Sequence, residues 1–209
     1  RQLLAFSRRT VLEPRVIDVN GVVRETEKML RRLIGEDIRL STKLVPNLRH
    51  VHVDPNQLGQ VLMNIVVNAR DAMPKGGALD IETHNVTLDQ AAACPLGLRP
   101  GAYAQLTIRD SGTGMSADVR ERIFQPFFTT KAVGSGTGLG LAVAHGIVSQ
   151  SGGAITVDSK EGEGTKFDIW LPVARAPTAT ASREEAPSDQ APTGTLLVVE
   201  DDDAVRRLA

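Results

Sequence analysis

Residues 54–73 show the clearest helical pattern in the chain, with apolar residues on one side and polar residues on the other. Asp54 can cap this helix, Pro55 suits its first turn, and Gln57 has the spacing of a capping box. The apolar side consists of Leu58, Val61, Leu62, Ile65, Val66 and Ala69. This periodicity predicts an amphipathic helix with one buried face.

The polar side of this helix carries side-chain amides where a solvated helix usually carries lysine and glutamate. It is formed by Gln57, Gln60, Asn64, Asn68 and Asp71. Amide and carboxylate oxygens can bind a hard cation, and amide N–H groups can donate to an anion. Taken alone, the stripe fits a solvated helix face as well as a binding surface.

The remaining pattern predicts a mixed sheet covered by helices. Alternating or continuous apolar runs predict strands at 16–19, 38–45, 51–53, 78–88, 102–110, 154–159 and 165–171. Helical spacing predicts one helix capped by Asn20 and closed by Gly35, a short piece at 119–124, and a helix at 139–151. Residues 89–101 are predicted as a loop, and the long Gly-rich region after Asp110 as a lid. Together these elements predict a two-layer α/β sandwich with the helices on one face of the sheet.

The chain divides into four predicted segments. Residues 1–14 resemble the end of a helix, and residues 15–173 form the predicted globular domain. Residues 174–194 are rich in Ala, Pro, Thr, Ser and Glu, which predicts a flexible linker. Residues 195–209 begin with the pattern of a buried strand. We therefore expect a fragment of a longer protein, in which a membrane anchor could lie upstream.

Composition places the chain among soluble globular proteins. Hydrophobic residues make up 41% and charged residues 23%, while the net charge of −1 does not favour nucleic acid or a membrane surface as a partner. The single cysteine, Cys94, excludes an internal disulfide framework. The sequence has no signal-peptide pattern and no apolar run long enough to span a membrane, so a cytoplasmic location is expected.

A carboxylate and two glycines follow a predicted strand at 110–115, DSGTGM. Asp110 can accept a hydrogen bond from an exocyclic amine while the backbone at Gly112 and Gly114 closes over a flat ring. A tight turn capped by an aspartate would have the same residues. The motif is weak when taken alone.

Two further motifs lie in the predicted lid. Residues 124–131, FQPFFTTK, hold three of the seven aromatic residues, which are expected to anchor the lid on the domain or on a partner. Lys131 can reach a phosphate, although a solvated lysine is the alternative. Residues 134–141, GSGTGLGL, open a predicted helix, and their backbone N–H groups can form an anion cradle. Neither the strand that a dinucleotide fingerprint needs nor a P-loop lysine accompanies them.

The four motifs in this order resemble a known family. NIVVNARDA, DSGTGM, FQPFFTTK and GSGTGLGLA resemble the N box, first glycine box, F box and second glycine box of sensor histidine kinases. The resemblance covers roughly residues 15–173 and identifies the catalytic ATP-binding domain, in the superfamily of gyrase, the mismatch-repair ATPase and the heat-shock chaperone. It implies ATP bound between the central helix and a lid that lies between the glycine boxes.

The resemblance also implies roles for individual residues. Asp110 would hold the adenine amino group, and Thr165 would lie near adenine. Gly112 and Gly114 would shape the pocket. Asn64 and Asp71 would line the ATP site, and Asn68 would bind Mg²⁺. The set implied for ATP beyond these comprises Lys131, Gly136, Thr137, Gly138, Leu139 and Gly140.

One departure from the family pattern bears on the reaction. Members that hydrolyse ATP carry a glutamate where this chain has Asn64, and an amide cannot act as a general base. The resemblance therefore implies transfer of the γ-phosphoryl group to a histidine on a dimerisation domain. A conformational ATPase and a non-enzymatic nucleotide-binding module are the alternatives. The histidines, His50, His52, His84 and His145, do not lie in the family's acceptor setting, so the acceptor is expected upstream in a homodimeric parent.

The C-terminal stretch LLVVEDDDAVRRLA resembles the first strand and helix start of a response-regulator receiver domain. In that resemblance Glu200 and Asp201 would be the acidic Mg²⁺ pair of a completed domain. The parent would then be a hybrid kinase in a phosphorelay. A generic acidic strand end is the alternative.

Overall fold

The computed structural model describes residues 13–131 and 136–174. The elements are β1 (Arg15–Ile17), α1 (Val19–Ile34), β2 (Ile38–Leu44), β3 (Val51–Val53), α2 (Pro55–Asp71), β4 (Gly77–Leu88), α3 (Gln90–Ala93), β5 (Gly101–Asp110), α4 (Ala117–Arg122), α5 (Gly140–Gln150), β6 (Ala154–Lys160) and β7 (Gly164–Pro172). A 3₁₀ turn, Cys94–Leu96, follows α3. Most predicted strands and helices are therefore confirmed to within one or two residues at their ends.

The main sheet has five strands in the order β2-β4-β5-β7-β6. β2 and β4 run parallel, whereas the other neighbouring strands are antiparallel. β1 pairs with β3 in a separate two-stranded sheet. α1, α2 and α5 cover one face of the main sheet, which confirms the mixed two-layer sandwich.

The apolar side of α2 forms the centre of the core. Its six predicted apolar residues are all buried, with relative exposures of 3% or less. They face inward side chains of β4, β5 and β7, such as Ile81, Ile108 and Ile169. Asp54 caps the helix by accepting from the backbone N–H of Asn56 at 2.8 Å, as predicted. Burial of each large side chain contributes about 1.5–3 kcal/mol, so this packing holds the polar side of α2 in a fixed position.

The predicted cap of α1 was wrong. Asp18, not Asn20, caps the helix by accepting from the Asn20 backbone N–H at 2.9 Å. The Asn20 side chain is instead buried, where it donates to the Val45 carbonyl and accepts from the Thr83 hydroxyl, each at 2.9 Å. Asparagine suits both a cap and a buried amide network, and its distant partners decide between them.

The predicted loop at 89–101 contains α3 and the 3₁₀ turn. Asp89 caps α3 by accepting from the Ala92 backbone N–H at 2.8 Å. This segment covers a small second apolar cluster that includes Leu88, Ala93 and Tyr103. The loop prediction was therefore wrong for its first half, because such short helices leave almost no periodic pattern.

Several predictions fall outside the described residues. These are residues 1–12 of the predicted helix end, residues 175–194 of the predicted linker, and the segment 195–209 with Glu200 and Asp201. Their roles stay predictions. In the part of the chain that is described, no helix combines the length and apolar character needed to cross a bilayer.

Candidate functional site

Asp110 is a buried carboxyl at the end of β5, directly opposite Thr165 on β7. Asp110 is 5% exposed and Thr165 is 6% exposed. The Oδ1 atom of Asp110 accepts from the backbone N–H groups of Gly112 at 2.8 Å and Thr165 at 3.2 Å. Burial raises the pKa of Asp110, and the two hydrogen bonds offset that rise only in part. Within the described residues Asp110 has no salt bridge and Oδ2 has no hydrogen bond, so Oδ2 can accept from a ligand.

The glycines after Asp110 allow close backbone contacts. A Cβ on Gly112 would lie 2.8 Å from both the Cβ and the carbonyl oxygen of Ala72, and one on Gly114 would collide with the Lys160 carbonyl. Gly114 also has a φ of +66°, which disfavours any side chain. The Thr113 N–H donates to the Ala72 carbonyl at 3.0 Å. This loop is therefore fixed to the end of α2.

The polar side of α2 meets both the lid and the start of α5. The Asn64 Nδ2 donates to the Gly140 carbonyl at 2.9 Å, a contact that the sequence did not predict. The Lys131 Nζ donates to Asp71 Oδ2 at 2.6 Å and to Asn68 Oδ1 at 3.2 Å. The structure thus brings together five residues that the sequence analysis assigned to one site.

Asp71 is held as a carboxylate by two cations. Burial alone would raise the pKa of Asp71, but hydrogen bonds from Lys131 and Arg70, with the charges of both, outweigh it and lower the pKa. Asp71 and Asp110 therefore differ in kind. Asp71 is paired within the protein, whereas Asp110 has no cation beside it among the described residues.

The start of α5 differs from that of the other α-helices in the described chain. Asp18, Asp54, Asp89 and Ser116 cap α1 to α4 through their side chains. Leu139 precedes α5 without any side-chain cap, and the first turn has no acidic residue. The first N–H groups of α5 and its positive end are thus available to an anion.

The lid is held against the second glycine motif. The Phe127 N–H donates to the Gly138 carbonyl at 2.9 Å, and a Cβ on Gly138 would collide with the Phe127 backbone. A Cβ on Gly136 would lie 3.1 Å from both Thr129 Oγ1 and Lys131 Cδ. The glycines therefore bring Lys131 and the α5 terminus to the same side of α2. Thr137 and Leu139 complete this turn, in which the Leu139 N–H points to Thr137 Oγ1 at 3.4 Å.

Two of the three lid phenylalanines anchor it on the domain, as predicted. Phe124 and Phe128 both pack against the main hydrophobic core, and the ring centroids of Phe124 and His145 are 5.1 Å apart. Within the lid, the Arg122 guanidinium lies 4.4 Å from the Phe128 ring centroid. Phe127 instead remains 76% exposed and has a φ of +66°. Its predicted contact with a partner stays a prediction.

Ser159 is a site residue that the sequence analysis missed. It lies on β6 directly opposite Thr165, and the two hydroxyl oxygens are 2.9 Å apart. Asp110, Thr165 and Ser159 thus form one row across β5, β7 and β6 on the face that carries the helices. Three polar residues in a row that faces the core are a signal, but only once the strand pairing is known.

A cavity of about 610 Å³ lies beside this site. Its lining includes the apolar residues Ile34, Ile38 and Met73 and also Asp71 and Lys131. Neither Asp110 nor the start of α5 belongs to its lining. The chemistry of the site therefore rests on the Asp110 row and the polar side of α2, and this cavity adjoins them.

Known proteins resemble this chain in sequence and in fold. Residues 53–175 match the family described as "Histidine kinase-, DNA gyrase B-, and HSP90-like ATPase". Sensor kinase CckA of Brucella abortus is 46% identical over 215 residues, which cover 99% of this chain and 23% of CckA. This chain therefore spans about a quarter of the length of that relative.

Two solved structures share the fold at a TM-score of 0.62 each. The mycobacterial sensor histidine kinase MprB is 29% identical, and the alignment covers 79% of this chain and all of that structure. Full-length ShkA in complex with AMPPNP is 26% identical, with 79% of this chain and 32% of ShkA covered.

Proposed function

Because the chain belongs to the family of histidine kinase-, DNA gyrase B- and HSP90-like ATPases, we propose that residues 15–173 are the catalytic ATP-binding domain of a sensor histidine kinase. The observation that carries the proposal is the Asp110 carboxyl, which is buried, lacks a neighbouring cation in the described chain and keeps one oxygen free. The sensor kinase relatives and the AMPPNP complex of ShkA support it, since AMPPNP is an analogue of ATP.

The base of ATP is assigned to the row that contains Asp110. The free Oδ2 of Asp110 suits the amino group of adenine, and Thr165 stands directly opposite. The absence of side chains at Gly112 and Gly114 lets the loop approach α2 closely without covering the carboxyl. These residues fit adenine because a buried carboxylate needs a donor and the amino group supplies one.

The phosphates are assigned to Lys131, to the backbone at 136–140 and to the uncapped start of α5. Asn68 Oδ1 already contacts a cation, the Lys131 ammonium, and is proposed as the protein ligand of Mg²⁺. The described residues hold no cluster of three His, Cys, Asp or Glu side chains that could bind a metal alone. This donor set fits Mg²⁺, which commonly binds one or two protein oxygens together with substrate phosphates. The bound ion would neutralise phosphate charge during transfer.

Transfer to a histidine is favoured over hydrolysis by the chemistry of Asn64. Its amide donates to the Gly140 carbonyl and has no basic group that could activate water. We assign the acceptor histidine to a dimerisation domain, and the parent to a homodimeric hybrid kinase that passes the phosphate on to a receiver domain. The match with CckA extends over 99% of the chain, which includes most of the segment that resembles the receiver start.

Calorimetry of the purified chain with Mg-ATP tests the nucleotide assignment. Wild type should bind, and Asp110→Asn should bind far more weakly. Absence of binding by folded wild type would contradict the proposal. Radiolabelled ATP, incubated with the chain and a separately prepared dimerisation domain of a relative, then distinguishes the reactions. Label on the added dimerisation domain supports the kinase. Release of free phosphate at a rate that does not depend on that domain supports an ATPase.

A further inference from the structure

Ser159 and Thr165 form a buried hydroxyl pair beside Asp110. Their relative exposures are 7% and 6%, and their oxygens lie 2.9 Å apart. The Ser159 Oγ is also 2.9 Å from the carbonyl oxygen of Gly164. Among the described residues, the Ser159 hydroxyl forms hydrogen bonds only with Gly164 and Thr165, so we expect it to act on a ligand through Thr165.

The hydrogen atoms in this group can be assigned by counting. A hydroxyl has one hydrogen to donate, and a carbonyl oxygen only accepts. The hydrogen of Ser159 is therefore used by the Gly164 carbonyl, and the contact with Thr165 requires Thr165 to donate to Ser159. The Thr165 oxygen is then left with lone pairs alone. Asp110, when ionised, likewise only accepts, so two directly paired positions on β5 and β7 both carry acceptors.

We propose that Ser159 is a positioning residue that keeps the Thr165 hydroxyl an acceptor and so makes the site select purines with an amino group at C6. This inference rests on the proposed function, in which Asp110 and Thr165 receive the base. An amino group supplies two N–H donors to two acceptors. An oxo group at C6 would instead turn its lone pairs toward the Thr165 oxygen, and unpaired buried polar atoms give large discrimination between such ligands.

Binding of ATP and inosine triphosphate tests the inference by calorimetry. Inosine carries an oxo group at C6 in place of the amino group and a hydrogen on N1, and the second difference is the same for every variant compared. Wild type should favour ATP. In Ser159→Ala the Thr165 hydroxyl loses its acceptor and can rotate to donate to the oxo group. The preference for ATP, measured as the Kd for inosine triphosphate divided by the Kd for ATP, should then fall by roughly 2- to 12-fold, the range of one neutral hydrogen bond.

Ser151→Ala is the matched control, because Ser151 also donates to a carbonyl, that of Ile147 at 3.0 Å, but at the end of α5. It should leave the ratio at the wild-type value. If Ser159→Ala does not fold, Thr165→Val and Thr165→Ser replace it. Valine removes the acceptor and should lower the preference for ATP more than serine, which keeps a hydroxyl opposite Ser159.

The possible results separate the two claims. Folded wild type that binds neither nucleotide overturns the proposed function and this inference with it. Wild type that binds ATP, with the same ratio in folded Ser159→Ala, overturns the inference alone. The same holds if valine and serine at position 165 give equal ratios.

Discussion

Two groups of buried polar side chains lie between the sheet and its helices, and they differ in how fully the protein satisfies them. In the first, the Asn20 amide bonds to the Val45 carbonyl and the Thr83 hydroxyl, and the Val45 N–H donates back to Thr83. In the second, Asp110 leaves Oδ2 without a partner in the described chain, and Thr165 is left with unused lone pairs. A closed network stabilises the fold, whereas an open one at similar burial indicates a ligand.

The two groups also differ in whether they can carry a charge. The closed group is neutral. Asp110 is ionisable, and burial raises its pKa, so its ionisation makes folding less favourable. This cost begins as the pH rises through the ordinary value of 3.8 and is complete above the raised folded value. A carboxyl whose burial costs stability at neutral pH and is not offset by a cation is typical of a functional site.

The largest effect is expected from Asp110→Asn, which should separate binding from folding. Loss of a charge-assisted hydrogen bond should weaken ATP binding by about 1.5–3 kcal/mol, or roughly 10- to 150-fold. The asparagine oxygen can still accept from Gly112 and Thr165, so denaturant unfolding near neutral pH should show equal or greater stability. In acid the two proteins should converge, because wild-type Asp110 is then protonated. A variant that is less stable but binds ATP as well as wild type would show that Asp110 serves the fold and not the ligand.

Asn20→Ala should have the converse effect. It leaves the Thr83 hydroxyl without an acceptor and the Val45 carbonyl without the Asn20 donor, at a cost of about 1–3 kcal/mol in the free energy of unfolding. ATP affinity of the folded fraction should not change. Asn85→Ala is the matched control, because Asn85 makes two similar hydrogen bonds with Asn47 and Arg49 but is exposed. Equal losses in urea unfolding would show that burial does not decide the cost.

Asp54 sharpens the comparison because it is a buried carboxylate with its partners in place. Burial would raise its pKa, but backbone N–H groups of Glu13, Asn56 and Gln57 outweigh this and lower it. Its stabilisation is therefore present above the ordinary value of 3.8 and is lost as the pH falls through the lowered folded value. Asp54→Ala should cost about 0.5–2 kcal/mol near neutral pH, with a smaller difference in acid.

ATP affinity measured by calorimetry should be the same in Asp54→Ala as in wild type. Asp54→Asn is the control, since asparagine caps a helix as well as aspartate does. It should retain most of the stability near neutral pH and lose the acid dependence. Asp54 and Asp110 would be alike in function if both substitutions changed nucleotide binding.

The sequence predicted those features that depend on residues within a few positions of one another. The start of α2 was predicted because Asp54 and Pro55 act within one turn, and its buried side because the period repeats along one helix. The role of Asn20 was predicted wrongly because Thr83 lies 63 positions away. The Asn64 contact with Gly140 spans 76 positions, and no periodicity reports it. The fold class thus followed from local periods, and the pairing of its strands did not.

The site shows the same division. Asp110 and the glycine motifs were found as short stretches of sequence, and the resemblance linked them to ATP, so their individual roles stay predictions. Ser159 was missed because a serine in an alternating strand is unremarkable until β6 and β7 are paired in register. Residues that touch the ligand can be found in motifs, whereas residues that orient them are found by their hydrogen bonds.

The smallest effect is expected at Lys131, which contacts the polar side of α2 in the proposed ATP site. Its pair with Asp71 is partly solvated, so Lys131→Gln should change the free energy of unfolding by only about 0.2–1 kcal/mol. Lys43→Gln is the matched control, because Lys43 forms a similar surface pair with Glu82 at 2.8 Å, away from α2. Both variants should unfold at nearly the wild-type denaturant concentration.

Only Lys131→Gln should weaken Mg-ATP binding, by about 1.4- to 5-fold, as expected for a partly exposed charge contact. That loss should shrink at high salt, because mobile ions screen an exposed pair. Calorimetry at two salt concentrations measures both effects. If the two lysine variants bind Mg-ATP equally well, Lys131 serves only to hold the lid to Asp71. The proposed ATP site would then consist of the amides of α2 and the Asp110 row, without a cation from the lid.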